Sequence, residues 1–288
     1  MFAISKQTSS KKLETTQRTA IANSFDIWSL GITIVIGGQY FCWNAGLEAG
    51  FGSYLIATLI IASAYACMCM CISELPFACG AYGLARCTMG YHIGFAVGCC
   101  EVIEYITYVA SSSLSLGYMV STLHPSLVTY QPLIWLAFYL SALAILIAGN
   151  KPMWLFNAGI AIVSILLLLL FCFSSLPFVD FNRNAVPDGV WFVGGMSMFM
   201  SVLRYSCWFY VGVESLSLAS NSTANPRVTI PRGQLSCMLT LFVCSMLVLF
   251  INCSLPIGIT ALTTELLPFN AGRSVVHVPY ACYGILVA

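Results

Sequence analysis

The chain has 288 residues, of which 59% are hydrophobic and only 7% are charged. Because a soluble domain carries about 25% charged residues, this composition excludes a soluble globular protein and predicts an integral membrane protein with several spans. The formal net charge of +1 indicates no nucleic-acid or acidic partner.

Seven apolar stretches are predicted to cross the bilayer as helices, since a span needs about 20 mainly apolar residues. They lie at about 27–47, 54–72, 93–120, 133–148, 154–176, 190–219 and 235–257. Polar loops are expected between them, among others at 74–90, 180–188 and 220–233. Residues 1–24 are polar and are predicted to form a disordered cytoplasmic tail.

An eighth apolar stretch, 278–288, reaches the last residue of the sequence. Its eleven residues make about 16 Å of helix, which is roughly half of a bilayer core of about 30 Å. We therefore expect seven full spans and part of an eighth, as in a C-terminally truncated protein.

Basic residues near the ends of the spans predict the orientation. With the N-terminus in the cytoplasm, the outer side carries only Arg183 and Arg273. The cytoplasmic side then carries eight basic residues: Lys6, Lys11, Lys12, Arg18, Arg86, Lys151, Arg227 and Arg232. This bias predicts a cytoplasmic N-terminus.

Two adjacent glycines, Gly37 and Gly38, stand in the middle of the first span and are followed by Gln39. A helix broken at membrane depth exposes backbone groups that cannot face lipid, so the break must face protein or a watery cavity. In transporters this cavity is often the substrate site. The alternative is that the paired glycines let a neighbouring helix approach closely.

A second candidate break lies in the sixth span, between Trp208 and Glu214, where aromatic residues, a glycine and an acid follow one another. The first span runs outward and the sixth runs inward, five helices apart. Two glycine-interrupted spans in such corresponding places indicate an inverted-repeat transporter. Ordinary helix packing is the alternative explanation for the aromatic residues.

Four ionisable residues lie within the spans, where charge is costly and usually functional. Glu101 and Glu104 share one face of the third span, and Arg204 and Glu214 belong to the sixth. Counting residues from the span ends places Glu104 and Arg204 near the midplane. We therefore predict that Arg204 pairs with Glu104 or Glu101. Such a pair would either take part in coupling or merely hold two helices together.

Four motifs follow one another in an order typical of one group of permeases. Residues 225–233 read Asn-Pro-Arg-Val-Thr-Ile-Pro-Arg-Gly, a signature known after a sixth helix, with one residue fewer before its first arginine. Residues 212–214 read Gly-Val-Glu, and 74–75, 80–82 and Gly90 carry a Glu-Leu…Gly-Ala-Tyr…Gly loop. With Ile36-Gly37-Gly38, these motifs resemble the amino acid–polyamine–organocation (APC) superfamily. Residues 40–47 resemble its ethanolamine-permease-like branch.

The resemblance implies an all-α polytopic secondary transporter with a five-plus-five inverted repeat, in which helices 1 and 6 are broken. Residues 25–177 would form the first repeat and 178–288 an incomplete second one. Its substrates would be amino acids or small amines such as ethanolamine, often moved with protons. The residues that the resemblance assigns to the substrate are Gly37, Gly38, Gln39, Trp208, Phe209, Tyr210 and Gly212.

Further roles are expected for Trp208 and for the acids within the spans. The resemblance makes Glu214 a proton-coupled switch and Trp208 a gate. From charge and depth alone we infer that Glu101 and Glu104 offer a counter-charge to an amine. The expected partners are the lipid bilayer, a small-molecule substrate and a proton, and the expected location is the plasma membrane.

Three other classes of protein are alternatives to a transporter. A non-transporting permease fragment, regulatory or the product of a pseudogene, is the main alternative. A seven-span receptor fits poorly, because mid-span breaks are not typical of receptors. A membrane enzyme is not indicated, since His92, His124 and His277 are scattered over loops without a metal-binding pattern. We accordingly predict no cofactor and no metal site.

Overall fold

The computed structural model describes residues 22–74, 80–123, 125–265 and 268–269. All regular secondary structure in these residues is helical. The α-helices are α1 (Ser24–Val35), α2 (Gly37–Tyr40), α3 (Phe51–Glu74), α4 (Gly80–Met89), α5 (Tyr91–Leu123), α6 (Gln131–Ala148), α7 (Asn150–Ser175), α8 (Phe181–Asn184), α9 (Gly195–Ser206), α10 (Pro226–Cys253) and α11 (Gly258–Leu262). Short 3₁₀ segments lie at Trp43–Ala49, Pro125–Tyr130, Leu176–Phe178, Pro187–Gly189, Cys207–Phe209 and Val213–Ser222.

Among the described residues, five helices are long and apolar enough to cross a membrane: Phe51–Ile72, Tyr91–Tyr118, Ser126–Ala148, Lys151–Phe178 and Pro226–Cys253. The number rises to six if α1, α2 and the 3₁₀ segment after them count as one bent span. The predicted sixth span is divided into α9 and two 3₁₀ segments. The protein is therefore an all-α multi-pass membrane protein, as predicted, while the predicted tail up to residue 21 and the stretch 278–288 lie outside the described residues.

Helix α1 begins earlier than predicted because its first turn is capped. The Asn23 side chain accepts hydrogen bonds from the backbone N–H groups of Phe25 and Asp26, at 2.8 and 3.0 Å. The Asp26 carboxylate accepts one in return from the Asn23 N–H at 2.9 Å. These reciprocal bonds satisfy N–H groups that the helix itself cannot, so the helix starts at Ser24.

Helix α1 lies at the centre of the bundle and packs against α10 and α7. Small residues allow its close crossing with α10. A Cβ added at Gly31 would come within 2.6 Å of Cys237 Sγ, and one added at Gly233 within 2.6 Å of Ile27 Cβ. Close backbone approach through small residues is a main source of helix association in lipid. By contrast, no residue of α6 is buried, so α6 lies at the periphery.

The predicted start of the sixth span at residue 190 is wrong. Residues 190–193 are not helical, and α9 begins at Gly195. Backbone hydrogen bonds hold this stretch against the start of α3, from Gly52 N–H to the Trp191 carbonyl and from Val193 N–H to the Ala49 carbonyl, both at 2.9 Å. Apolar composition alone does not distinguish such a stretch from the end of a helix.

Three stretches predicted as loops contain helices. Helix α4 occupies most of 74–90, α8 lies within 180–188, and α10 begins at Pro226, inside 220–233. Polar composition distinguishes these stretches from the apolar spans, but it does not show whether their backbone is helical. Proline fits the first helical position of α10 because the missing N–H would have no partner there. Asp180 likewise caps α8 by accepting from the Arg183 N–H at 3.3 Å.

Candidate functional site

The first span is interrupted at Ile36, directly before the paired glycines, and it bends most sharply a few residues later. Gly37 and Gly38 belong to the short helix α2, and the chain leaves the helix after Tyr40. Cys42 there has a φ of +64°, an uncommon conformation for a residue with a side chain. The segments on the two sides of this point are bent by 47°. The helix is thus interrupted beside the predicted glycines, while the larger bend lies beyond them.

The paired glycines have different surroundings. A Cβ added at Gly38 would overlap the carbonyl oxygen of Trp208, whereas one added at Gly37 would meet no atom within 4 Å. Gly38 therefore serves the close approach of α2 to the broken sixth segment, which is the alternative that the sequence left open. The atom that Gly38 approaches belongs to the backbone at the second break. Close packing and helix interruption, the two explanations offered for the glycines, therefore both apply here.

Gln39 joins the two broken segments by a hydrogen bond. Its Nε2 donates to the carbonyl of Phe209 at 3.3 Å. The side chain is completely buried, and its Oε1 has no hydrogen-bond partner among the described residues. Trp43 Nε1 donates to the Gln39 carbonyl at 2.9 Å, which holds the chain beyond the bend. A buried acceptor without a partner is rare and calls for a water or ligand group.

The second break lies between Phe209 and Val213, as predicted. The residues from Tyr210 to Gly212 form a turn, and Gly212 has a φ of +99°, a conformation that favours glycine. Both carboxylate oxygens of Glu214 accept from the Gly212 N–H, each at 3.1 Å. The acid thus satisfies a backbone donor that the interrupted helix leaves without a partner.

Phe209 and Tyr210 are fully buried and do not line the cavity described next. The Phe209 ring lies 5.4 Å from the Trp43 ring, and the Tyr210 hydroxyl is 2.8 Å from Ser245 Oγ on α10. These two aromatic residues therefore pack the second break against the interior of the bundle, away from the cavity. Trp208 is only half-buried and faces the cavity.

An open cavity of about 200 Å³ lies between α5 and the sixth segment. The wall on α5 is one helical stripe with spacing i, i+3, i+4 and i+7, whereas the other wall runs from the end of α9 into the second break. The lining residues are Glu104, Thr107, Tyr108 and Ser111 on α5, and Arg204, Cys207, Trp208 and Val211 on the sixth segment. The cavity therefore brings together Glu104, Arg204 and Trp208, which the sequence analysis singled out.

The predicted ion pair is not formed in the described residues, although Arg204 and Glu104 line the same cavity. Arg204 Nη2 instead donates to the hydroxyl of Tyr205 at 3.1 Å, and its guanidinium carbon lies 4.9 Å from the centre of the Tyr205 ring. Counting residues along helices places charges at a depth but not at an azimuth, and the rotamer of Arg204 turns it toward its neighbour.

The other two acids stand near this cavity. Glu101 lies on α5 close to the backbone of Tyr82 on α4. Glu214 lies within electrostatic range of both Glu104 and Glu101. Of these three acids only Glu104 lines the cavity.

Several cavity residues were missed by the sequence analysis, although the helical stripe on α5 could have shown three of them. Thr107, Tyr108 and Ser111 follow Glu104 at the spacing of one helix face. Tyr108 also links the cavity to the first segment, since its hydroxyl donates to the Ile34 carbonyl at 2.6 Å. The sequence analysis considered only ionisable residues within the spans, and these three residues carry no charge.

Asn44 is a further residue that sequence reasoning missed. Its buried Nδ2 donates to the carbonyls of Leu262 and Glu265, both at 2.7 Å. These bonds fasten the 3₁₀ segment beyond the first bend to the end of α11.

Replacing Asn44 with alanine is expected to leave two carbonyls without their donor and to destabilise the protein by about 1–3 kcal/mol. The unfolding midpoint of detergent-solubilised protein should fall by about 2–4 °C for each kcal/mol. The matched control is Asn182→Ala, because Asn182 is exposed. Equal midpoints for the two variants would show that the Asn44 bonds do not hold this segment.

Comparison with known proteins agrees with this architecture. A family model described as amino acid permease matches residues 27–281. An uncharacterized transporter of Rhizobium meliloti is 26% identical over 243 residues, which cover 78% of this chain and 50% of the relative. The methylthioribose transporter of Bacillus subtilis is 27% identical, with 86% of this chain and 56% of the relative covered.

The branched-chain amino acid permease BcaP of Bacillus subtilis is 25% identical over 277 residues, which cover 88% of this chain and 56% of that relative. The chain thus spans about half the length of the curated relatives it matches. Because the family model covers most of the sequence, together with the helical membrane architecture, the chain belongs to the amino acid permease family.

Proposed function

We propose that the protein is a secondary active transporter for amino acids or small amines such as ethanolamine, working by alternating access. The observation that carries the proposal is the contact between Gly38 and the Trp208 carbonyl, where two interrupted membrane segments meet beside a charged cavity. Broken helices at membrane depth are built where they line a binding site. The names of two relatives, a methylthioribose transporter and a branched-chain amino acid permease, support small polar substrates.

In this proposal residues 25–177 form one five-helix repeat and 178–288 belong to the second. The first and sixth segments, each interrupted near its middle, would occupy corresponding places in the two repeats. The protein would lie in the plasma membrane, and its N-terminus would lie in the cytoplasm because of the bias of basic residues. Rocking of one repeat against the other would then open the cavity to each side in turn.

The backbone at Gly37, Gly38 and Gln39 would bind the carboxylate or hydroxyl end of the substrate. The free acceptor Gln39 Oε1 supports this role, because it would take a donor from substrate or from a bridging water. Trp208 would act as the gate, since it is half-buried at the cavity. Phe209, Tyr210 and Gly212 would shape the site from the second break.

Glu214 would be the proton-coupled switch. Its carboxylate accepts the Gly212 N–H with both oxygens, and protonation would convert one of these acceptors into a donor. The Gly212 N–H would then lose one of its two contacts, so the break could rearrange. The same proton would remove the repulsion between Glu214 and the carboxylates of Glu104 and Glu101.

Uptake of labelled amino acids and ethanolamine into proteoliposomes that contain the purified protein tests this proposal. We expect accumulation that an inward proton gradient stimulates and a protonophore abolishes. Glu214→Gln should retain folded protein but lose the stimulation, whereas the control Glu48→Gln, at an exposed position, should keep it. Flat uptake that ignores the gradient would favour the non-transporting fragment instead.

A further inference from the structure

A buried glutamine on α10 binds the backbone at the end of the second break. Gln234 is completely buried, and its Nε2 donates to the carbonyl of Val213 at 3.1 Å. Val213 stands between Gly212 and Glu214 in the sequence. Gln39 makes the equivalent bond at the other end of the break, to the Phe209 carbonyl. The two ends of the interruption are therefore each held by a side-chain amide from another segment.

The Gln234 amide also carries an acceptor that is not used. Its Oε1 has no hydrogen-bond partner among the described residues, although the whole side chain is shielded from solvent. The amide cannot simply be reversed, because Oε1 would then face the Val213 carbonyl and two acceptors would meet. Buried acceptors are rarely left without a donor. This oxygen is therefore expected to take a donor in another state of the protein.

The thiol of Cys69 connects Gln234 with Glu214. Cys69 stands beside the Gln234 amide and within electrostatic range of the Glu214 carboxylate. Glu214 is also the residue that directly follows Val213, and α10 packs against the part of the sixth segment that carries it. The unpaired oxygen and the carboxylate therefore share one region between α3, α10 and the second break.

Titratable groups surround Glu214 on several helices. Helix α3 brings Tyr65 and Cys69 into electrostatic range, and α5 brings Glu101, Glu104, Tyr105 and Tyr108. Helices α1, α4 and α10 also pack against this part of the sixth segment. Their charged groups are engaged or exposed: Asp26 caps α1, and Arg86, Arg227 and Arg232 are exposed.

A proton held by Glu214 requires an acceptor among these surroundings. Glu104 lines the open cavity, and Glu101 lies beside the backbone of Tyr82. The hydroxyl of Tyr108 is already bound to the Ile34 carbonyl. Gln234 Oε1, by contrast, is buried and lacks a donor. A neutral carboxyl hydroxyl and a neutral amide oxygen make a complete donor–acceptor pair.

We infer that Gln234 is a positioning residue of the proton switch, whose Oε1 accepts the hydrogen bond of the Glu214 hydroxyl in the protonated state. The inference rests on the proposed role of Glu214 and deepens it. The proton comes from water and returns to it, and the O–H bond of the acid is the only covalent bond that forms or breaks. Protonation thus turns one carboxyl oxygen from the Gly212 N–H toward α10, so the break is released in the same step.

The pH dependence of uptake tests this hydrogen bond. Gln234→Met removes the acceptor and keeps an unbranched, flexible side chain. Because the protonated state then loses one hydrogen bond, the midpoint of uptake against pH should fall by about 0.5–1 unit. Gln234→Asn, one methylene shorter, should shift it in the same direction and serves if Gln234→Met does not fold. An unchanged midpoint in a folded variant would overturn the inference.

Gln234→Glu separates the acceptor from a general loss of packing. It keeps acceptor oxygens at this position, so its midpoint should not fall, although the Val213 carbonyl loses its amide donor. A midpoint that falls equally in Gln234→Glu and Gln234→Met contradicts the inference, because the acceptor would then have no influence.

Asn252 is the matched control on the same helix. It is completely buried, its Nδ2 donates to the Val248 carbonyl at 2.9 Å, and its Oδ1 also has no partner among the described residues. It lies 18 residues beyond Gln234 on α10, about 27 Å along the helix. Asn252→Leu should leave the midpoint at the wild-type value. An equal fall in this variant would attribute the shift to loosening of α10 and overturn the inference.

Infrared difference spectroscopy gives a result that does not depend on transport. Acidification of purified protein should produce the carbonyl band of a protonated carboxyl that is missing in Glu214→Gln. In Gln234→Met this band should move to higher frequency, because the carboxyl loses its hydrogen bond. A band at the wild-type frequency would overturn the inference and leave Glu214 as the switch. If the wild-type protein shows neither the band nor pH-dependent uptake, the proposed switch fails together with the inference.

Discussion

Replacing Gly38 with alanine is expected to prevent the first and sixth segments from docking. The added Cβ would overlap the Trp208 carbonyl oxygen, which is backbone and cannot rotate away. Overpacking costs about 1–3 kcal/mol where side chains can give way, and occasionally more, so a rigid backbone partner places Gly38→Ala at or above that range. The measurement is the unfolding midpoint and the fraction of monodisperse protein extracted from membranes.

The neighbouring glycine is the matched control for folding. A Cβ at Gly37 would meet nothing within 4 Å, and both residues belong to the same short helix. Alanine is the better helix former by about 1 kcal/mol. Gly37→Ala should therefore be as stable as the wild type or slightly more stable. Equal loss of folded protein in both variants would mean that helix geometry, and not the contact with Trp208, requires these glycines.

Replacing Gly212 with alanine is expected to reduce both stability and transport. Its φ of +99° is unfavourable for a residue with a Cβ, at a cost of about 1–2 kcal/mol. The same Cβ would also lie 2.9 Å from Ile34 Cγ2. Relief of either conflict moves the Gly212 N–H away from Glu214. Uptake driven by a proton gradient should fall more steeply than the yield of folded protein.

Gly90 separates the two causes of this loss. It has a nearly equal φ of +90°, but a Cβ there would meet nothing within 4 Å. Gly90→Ala should show the backbone cost of about 1–2 kcal/mol alone and normal uptake for each folded molecule. If Gly90→Ala and Gly212→Ala behave alike, the contact of Gly212 with Ile34 has no influence on transport.

The two glycine contacts are reciprocal. Gly38, in the first segment, meets the backbone of the second break, and Gly212, in the second break, meets Ile34 of the first segment. The hydrogen bond from Gln39 to the Phe209 carbonyl joins them again. A displacement of one break must therefore displace the other, because close-packed contacts do not deform continuously.

The sequence by itself determined the class of protein and the places of its unusual residues. Apolar stretches with few charges predict membrane helices because lipid offers no partner to polar groups, and the part of the chain that the structure describes contains five such helices. The motif Gly212-Val213-Glu214 correctly located the second break. Composition did not predict where helices begin, as at Gly195 and Pro226. Caps and backbone hydrogen bonds set the boundaries of a helix, and hydropathy does not.

Tertiary structure alone decided which glycine is tightly packed and which charges meet. Gly37 and Gly38 are equivalent in the sequence, yet only Gly38 faces the Trp208 backbone. Arg204 and Glu104 reach the same cavity, as their depth suggested, but Arg204 turns to Tyr205. Periodicity gives the depth and face of a residue within one helix. The distance between residues on different helices depends on how those helices cross and rotate, which local sequence does not specify.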